Sequence, residues 1–156
     1  MCTKPGTAVQ DRASFLLIDW EANIITDMIT YSANDLANLT FNRHFRPCQF
    51  HDGKHVVEVL SWAELSVAFL RWLLENGHLC MHTLPVSNHA GCGKYLINKE
   101  KRHKFPNLGA DWVKVGVYYI DTKYDADHHR KNILKALESL KVVDPGFHIS
   151  FHKTSH

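Results

Sequence analysis

Cys80, His82, His89 and Cys92 lie close together in the chain and spell C-x-H-x6-H-x2-C. Thiolate sulfur and imidazole nitrogen are the donors of a tetrahedral zinc site, and two ligand pairs flanking a loop can close one. The spacing is not a usual one, and a chain with 12 histidines offers metal-like spacings by chance. In the competing reading, Leu79 to Met81 belong to the core and His89 to a solvent loop. Zinc is the one cofactor that the sequence offers; it indicates no other.

Three further groupings suggest chemistry and then fail a requirement. His148-Ile-Ser150 fits the H-x-S strand of two-histidine phosphodiesterases, whose paired histidines do acid–base work on a phosphate. The only other match, His152-Lys-Thr154, follows at once and cannot face it across a cleft. The expectation is therefore a histidine on an edge strand. Gly91-Cys-Gly-Lys94 resembles a phosphate loop, but Asn88 and Tyr95 stand where that motif needs glycine and Ser/Thr. Asp19, Glu21 and Asp27 could be metal-binding carboxylates of a nuclease, but no E-x-K strand accompanies them. No catalytic signature is complete, and the chain reads more readily as a binding module than as an enzyme.

The remaining chemistry is cationic. Basic residues gather at Arg43, His44 and Arg46, then at Lys94, Lys99, Lys101, Arg102 and Lys104, then at His128, His129, Arg130 and Lys131. The formal net charge is only +2, so local clustering must decide whether a polyanion is bound. Phosphate neutralisation needs several cations on one face, and aromatic rings beside them can stack on bases. Tyr95, Trp112, Tyr118 and Tyr119 lie nearby in sequence. The candidate nucleic-acid interface is Lys99, Lys101, Arg102, Lys104, Tyr118, Tyr119, Thr122, His128, Arg130 and Lys131. The bland alternative is a solvated loop, a helix surface and core aromatics.

These groups must be held by elements. Residues 1–13 read as a loose arm, and 15–20 and 23–30 as strands. Ser32-Ala-Asn-Asp35 resembles a capping box for a short helix that Arg46-Pro47 cannot extend. Asp52-Gly53 between strand-like runs is a hairpin signal of the type I′ kind. Ser61-Trp-Ala-Glu64 opens a helix that Gly77 stops. Its apolar positions are Trp62, Leu65, Phe69, Trp72 and Leu73, with Val67, Leu70 and Leu74 as a second stripe. So wide an apolar surface predicts a central helix covered from two sides. A turn-rich loop over 84–93, a short strand over 94–98, a basic loop over 99–104 and a strand over 113–120 follow. Asp125 caps a last helix facing inward with Ile133, Leu134, Leu137 and Leu140. Asp144-Pro-Gly146 and a final strand over 147–151 complete the order. The fold class is α+β: a mainly antiparallel sheet with one central apolar helix and a second amphipathic helix packed on it.

At 156 residues the chain is one ordinary domain, expected over 14–151 with a polar tail at 152–156. The start carries no apolar signal segment, and no stretch approaches the ~20 apolar residues of a membrane span. The expectation is a cytoplasmic protein without a membrane partner, whose four cysteines are free thiols or metal-bound.

Phe50-x-x-Gly53, Val57-x-Val59-x-Ser61-Trp62, Gly93-Lys-Tyr95 and Tyr118-Tyr-Ile-Asp-Thr-Lys123, with an amphipathic helix after them, form a recognisable series over roughly 47–143. It resembles a small accessory domain associated with bacterial restriction and phage-defence proteins, found beside nuclease, methylase or helicase-type partners. The resemblance implies a nucleic-acid-directed accessory module, with DNA the expected ligand, or a module that docks a protein partner of a defence system; the alternative is a protein-interaction or zinc-stabilised structural module that binds no nucleic acid.

Overall fold

The computed structural model describes residues 28–39 and 45–153. The expected arm, the strand over 15–20, the first part of the strand over 23–30, the carboxylates Asp19, Glu21 and Asp27, and the cations Arg43 and His44 lie outside them.

The architecture is α+β, and the expected sheet is in fact two. Strands β1 (Met28–Ser32), β2 (Phe45–His51), β3 (Val56–Glu58) and β8 (His148–Lys153) form one antiparallel sheet in the order β1-β8-β2-β3. Strands β4 (Val86–Ser87), β5 (Tyr95–Asn98), β6 (Trp112–Val115) and β7 (Tyr118–Asp121) form the second, in the order β4-β5-β7-β6. Helix α1 (Trp62–Glu75) packs against β2 of the first sheet and β6 and β7 of the second. It is the twice-covered helix that its apolar surface predicts. Helix α2 (Ala126–Ser139) lies against α1, β4 and the 3-10 segment Ala33–Asn38.

Local chemistry explains these boundaries. Ser32 and Asp35 form the expected reciprocal capping box. At Ser61 only half of the box forms. The Ser61 hydroxyl accepts from Glu64 N–H, but Glu64 Oε1 reaches one residue further, to Leu60 N–H at 2.9 Å. Helix α1 ends where Gly77 turns left-handed (φ 72°), with Gly77 N–H on Leu74 O and His78 N–H on Leu73 O. The Asp52-Gly53 hairpin forms, but the turn centres on Gly53-Lys54, and only Gly53 (φ 99°) needs positive φ. Asp52 moves out to the first position because its carboxylate accepts from Lys54 N–H (2.8 Å) and His55 N–H.

Proline placement gives another difference. Pro47 sits inside β2, which is paired on both sides, and the register shifts between Pro47 and Gln49. The irregularity absorbs the missing donor. Strand β8 is central, which corrects the edge-strand expectation for His148, and it runs to Lys153, past the expected tail boundary.

The core is aromatic at its centre. Phe147 touches Phe50 (5.0 Å between centroids), Trp72 (4.9 Å) and Phe69 (5.8 Å). Leu65, Phe69, Trp72 and Leu73 are buried as expected, whereas Trp62 is only partly covered. Among the described residues no helix is long and apolar enough to cross a membrane.

Candidate nucleic-acid interface

The stretch over 113–120 is a hairpin, not one strand. Gly116 (φ 64°) turns the chain, so Val115 pairs with Tyr118, Lys114 with Tyr119 and Trp112 with Asp121. Antiparallel partners share a face. Lys114 and Tyr119 therefore stand together, and Asn98 of β5 joins them as the other partner of Tyr119. On the opposite face Ile97 and Ile120 are fully buried, while Val113 at the edge strand stays exposed.

The loop over 99–111 folds back along β5. Asn98 Nδ2 donates to Arg102 O (3.0 Å), and Lys104 N–H donates to Gly93 O (2.9 Å). Between these ties sits His103, which sequence reasoning counted as part of a solvated run but which is 4 % exposed. Its Nδ1 accepts from Tyr95 N–H at 2.9 Å, so Nε2 carries the proton and donates to Asp121 Oδ2 at 3.1 Å. Asp121 Oδ1 accepts from the backbone N–H groups of Asp111 (2.9 Å) and Lys123 (3.0 Å). The pairing of β5 with β7 covers only Ile97↔Ile120 and Asn98↔Tyr119. Beyond it the strands diverge, and the His103 ring fills the gap that ladder hydrogen bonds would have closed. Nothing in a lone histidine within a basic run signals this.

With His103 as its anchor, the loop brings Lys101 to Tyr119, which already has Lys114 of β6 beside it. Lys101 Nζ and Lys114 Nζ each lie 5.9 Å from the Tyr119 ring centroid, and the ring is partly exposed. Lys104 Nζ lies 5.5 Å from the ring of Phe105, which is 49 % exposed. Lys123 reaches the loop at Gly109, where a Cβ would stand 3.2 Å from its Nζ. Among the described residues, Lys99, Lys101, Lys104, Lys114 and Lys123 have no ion-pair partner, and Arg102 pairs loosely with Glu100 at 3.6 Å. Lys114 was missed by sequence reasoning, which left it in the middle of a single strand.

The helical half of the expected interface is engaged elsewhere. Arg130 is buried, its Nε on Asp127 Oδ1 (2.9 Å) and its Nη1 on Leu36 O (3.0 Å), so it ties α2 to the 3-10 segment. Lys131 pairs with the same carboxylate at 3.4 Å. The Arg130 hydrogen bond holds the Asp127 carboxyl below its ordinary range. His128 leans on Asp125 (3.3 Å) and stacks on His89 (4.7 Å). Tyr118 faces the core. Thr122 is spent on Asp111 O through both N–H (2.8 Å) and hydroxyl (3.0 Å).

The zinc reading finds no support in the geometry. Among the described residues no three His, Cys, Asp or Glu side chains are grouped to hold a metal. Cys80 caps the short 3-10 turn Met81–Thr83, which carries His82. His89 is drawn toward α2, its N–H on Asn132 Oδ1 at 2.8 Å. Cys92 sits in a left-handed turn (φ 51°) with Sγ near Ala90 O. Cys48, Cys80 and Cys92 are free thiols. Burial, with Glu58 adding, pushes the Cys48 thiol up to about 11. The turn that resembled a phosphate loop is closed on itself: Asn88 Oδ1 accepts from Ala90 N–H (3.0 Å) and Gly91 N–H (2.7 Å), and Lys94 N–H donates to Gly91 O (3.0 Å).

Two buried histidine networks complete the inventory. His51, which stands opposite His148 in register, hydrogen-bonds Ser150 Oγ at 2.9 Å, and Ser150 Oγ meets Thr30 Oγ1 at 2.7 Å. Ser150 is fully buried, so this chain of hydroxyls pins β1, β8 and β2 together and offers no reachable nucleophile. His129 Nδ1 meets Ser66 Oγ at 2.9 Å, joining α2 to α1. No family model matches this chain, and no curated protein and no solved structure matches it significantly.

Proposed function

We propose that the protein is a nucleic-acid-directed binding module that engages its ligand through the partly exposed ring of Tyr119 on β7 and the exposed lysines beside it on β6 and the 99–111 loop. The observation that carries this reading is Tyr119, flanked by Lys101 and Lys114, with Lys99 and Lys104 carried on the same loop as Lys101. These cations lack carboxylate partners among the described residues and are available for phosphates, while the ring between them presents a stacking surface. The resemblance to restriction and phage-defence accessory domains extends the proposal to a defence setting, with a nuclease- or methylase-type partner. Fluorescence anisotropy with labelled oligonucleotides at low salt tests it. Binding should weaken when Lys101 and Lys114 are changed to Glu, with the melting temperature nearly unchanged because exposed charges add little stability. No oligonucleotide bound below about 100 μM, the weak end of non-specific DNA binding, would refute it.

One observation favours protein docking as a second reading. A groove of about 370 Å³ runs between β3, α1 and β6, lined by Val57, Val59, Ala63, Val67, Ala68 and Val113. Val56 and Leu60 stand exposed near β3, and β3 and β6 are the open edges of their sheets. A module of this kind would bind no oligonucleotide in the same assay.

A further inference from the structure

We propose that the Tyr119 face is built for single-stranded nucleic acid, a base stacking on the ring while Lys101 and Lys114 take the flanking phosphates. The inference rests on the nucleic-acid reading and adds the form of the polymer.

The first ground is what the helices lack. Reading a duplex with a helix in its major groove calls for a helix that carries free polar and cationic side chains. Arg71 is the only Lys or Arg of α1, a helix otherwise committed to the core. On α2 each Lys or Arg has a carboxylate on its own helix: Arg130 and Lys131 on Asp127, Lys135 on Glu138. Neither helix offers an unpaired basic face to a groove.

The second ground is what the sheet supplies. Unpaired cations interleaved with aromatic faces are the pattern that holds bases out of a duplex, because every base has a π-face and the phosphates follow. Tyr119 is held in register by Lys114 and Asn98, so the backbone that carries its ring is set by the sheet on both sides. Both lysines sit at 5.9 Å, near the outer limit of cation–π reach, so an arriving base displaces little and frees them to move onto phosphates. Phe105, midway along the loop, likewise carries a lysine beside its ring, Lys104. Its ring lies so close over Gly93 that a Cβ there would come within 2.8 Å.

The experiment compares the full chain with oligo-dT, oligo-U and a blunt DNA duplex of equal length by fluorescence anisotropy at low salt. The expected result is at least tenfold tighter binding of a single strand than of the duplex. Tyr119→Thr, which preserves strand propensity, should lose about tenfold on the single strand. Tyr119→Phe should retain affinity, and it serves as the second variant should Tyr119→Thr fold poorly. Equal or tighter duplex binding overturns the inference and leaves the nucleic-acid reading standing. So does full single-strand affinity in a folded Tyr119→Thr. Failure of every oligonucleotide to bind overturns both. The ranking of oligo-dT against oligo-U separates DNA from RNA as the source of the strand.

Discussion

His103 Nε2 donates to Asp121 Oδ2 at 3.1 Å in a space where both side chains are essentially closed to solvent. This bond joins the loop over 99–111 to the second sheet at the point where β5 and β7 cease to pair. Together with the Tyr95 N–H it fixes the loop that carries Lys99, Lys101 and Lys104.

His103→Ala would leave the Tyr95 N–H without its acceptor and remove one donor from the buried Asp121 carboxylate. An orphaned buried polar group costs about 1–3 kcal/mol, so denaturant melts should show a loss of that size. Amide exchange should quicken over 99–105, and oligonucleotide affinity should fall although no cation has been removed. Unchanged exchange in this loop would mean that His103 does not anchor it.

Burial also fixes a pH dependence. His129, stacked beside Trp62 and against Tyr124, has its pKa pushed down from 6.5 to about 4, chiefly by desolvation. Below pH 6.5 the unfolded chain binds a proton here that the folded chain refuses, so stability is complete above 6.5 and falls as pH drops toward 4. His89 and His78 are lowered by burial too and act in the same direction. At pH 5 the His129 contribution alone is about 2 kcal/mol relative to pH 7.5. Urea melts at the two pH values should show at least that difference, reduced by about the same amount in His129→Leu. Equal pH slopes in parent and variant would show that His129 is not the group responsible.

Arg130 separates a structural cation from a ligand-binding one. Its guanidinium holds Leu36 O and Asp127 in a buried position. Arg130→Met should destabilise by about 1.5–3 kcal/mol, the value of hydrogen bonds to a charged group. Below its melting temperature, oligonucleotide affinity should match the parent. A variant that keeps its stability but binds several-fold more weakly would return Arg130 to the interface.

The elements were legible wherever a local signal decides them. Ser32 with Asp35, Ser61, Gly77 and Asp125 are read directly from cap chemistry, and the apolar width of 62–75 announced a helix buried between layers. The hairpin at Gly116 was equally legible. Splitting 112–121 at Gly116-Val117 pairs Lys114 with Tyr119 by counting alone, and treating the run as one strand hid the lysine. The fate of the histidines and of Arg130 was not legible. His103, His129 and Arg130 stand among solvated-looking residues, and only the long-range placement of Asp121, Ser66 and Leu36 buries them. The split into two sheets was also hidden, because strand partners so distant in sequence as β1 and β8 leave no mark in either segment.

The interface is tested most directly by the salt dependence of single-strand affinity in the parent and in Lys101→Gln/Lys114→Gln. Each phosphate neutralised contributes about −0.7 to the log–log slope on a single strand. If both lysines contact phosphates, the double variant should bind more weakly, with a slope shallower by about 1.4. A variant that binds with the parent's slope would contradict the interface, since Lys101 and Lys114 would then touch no phosphate.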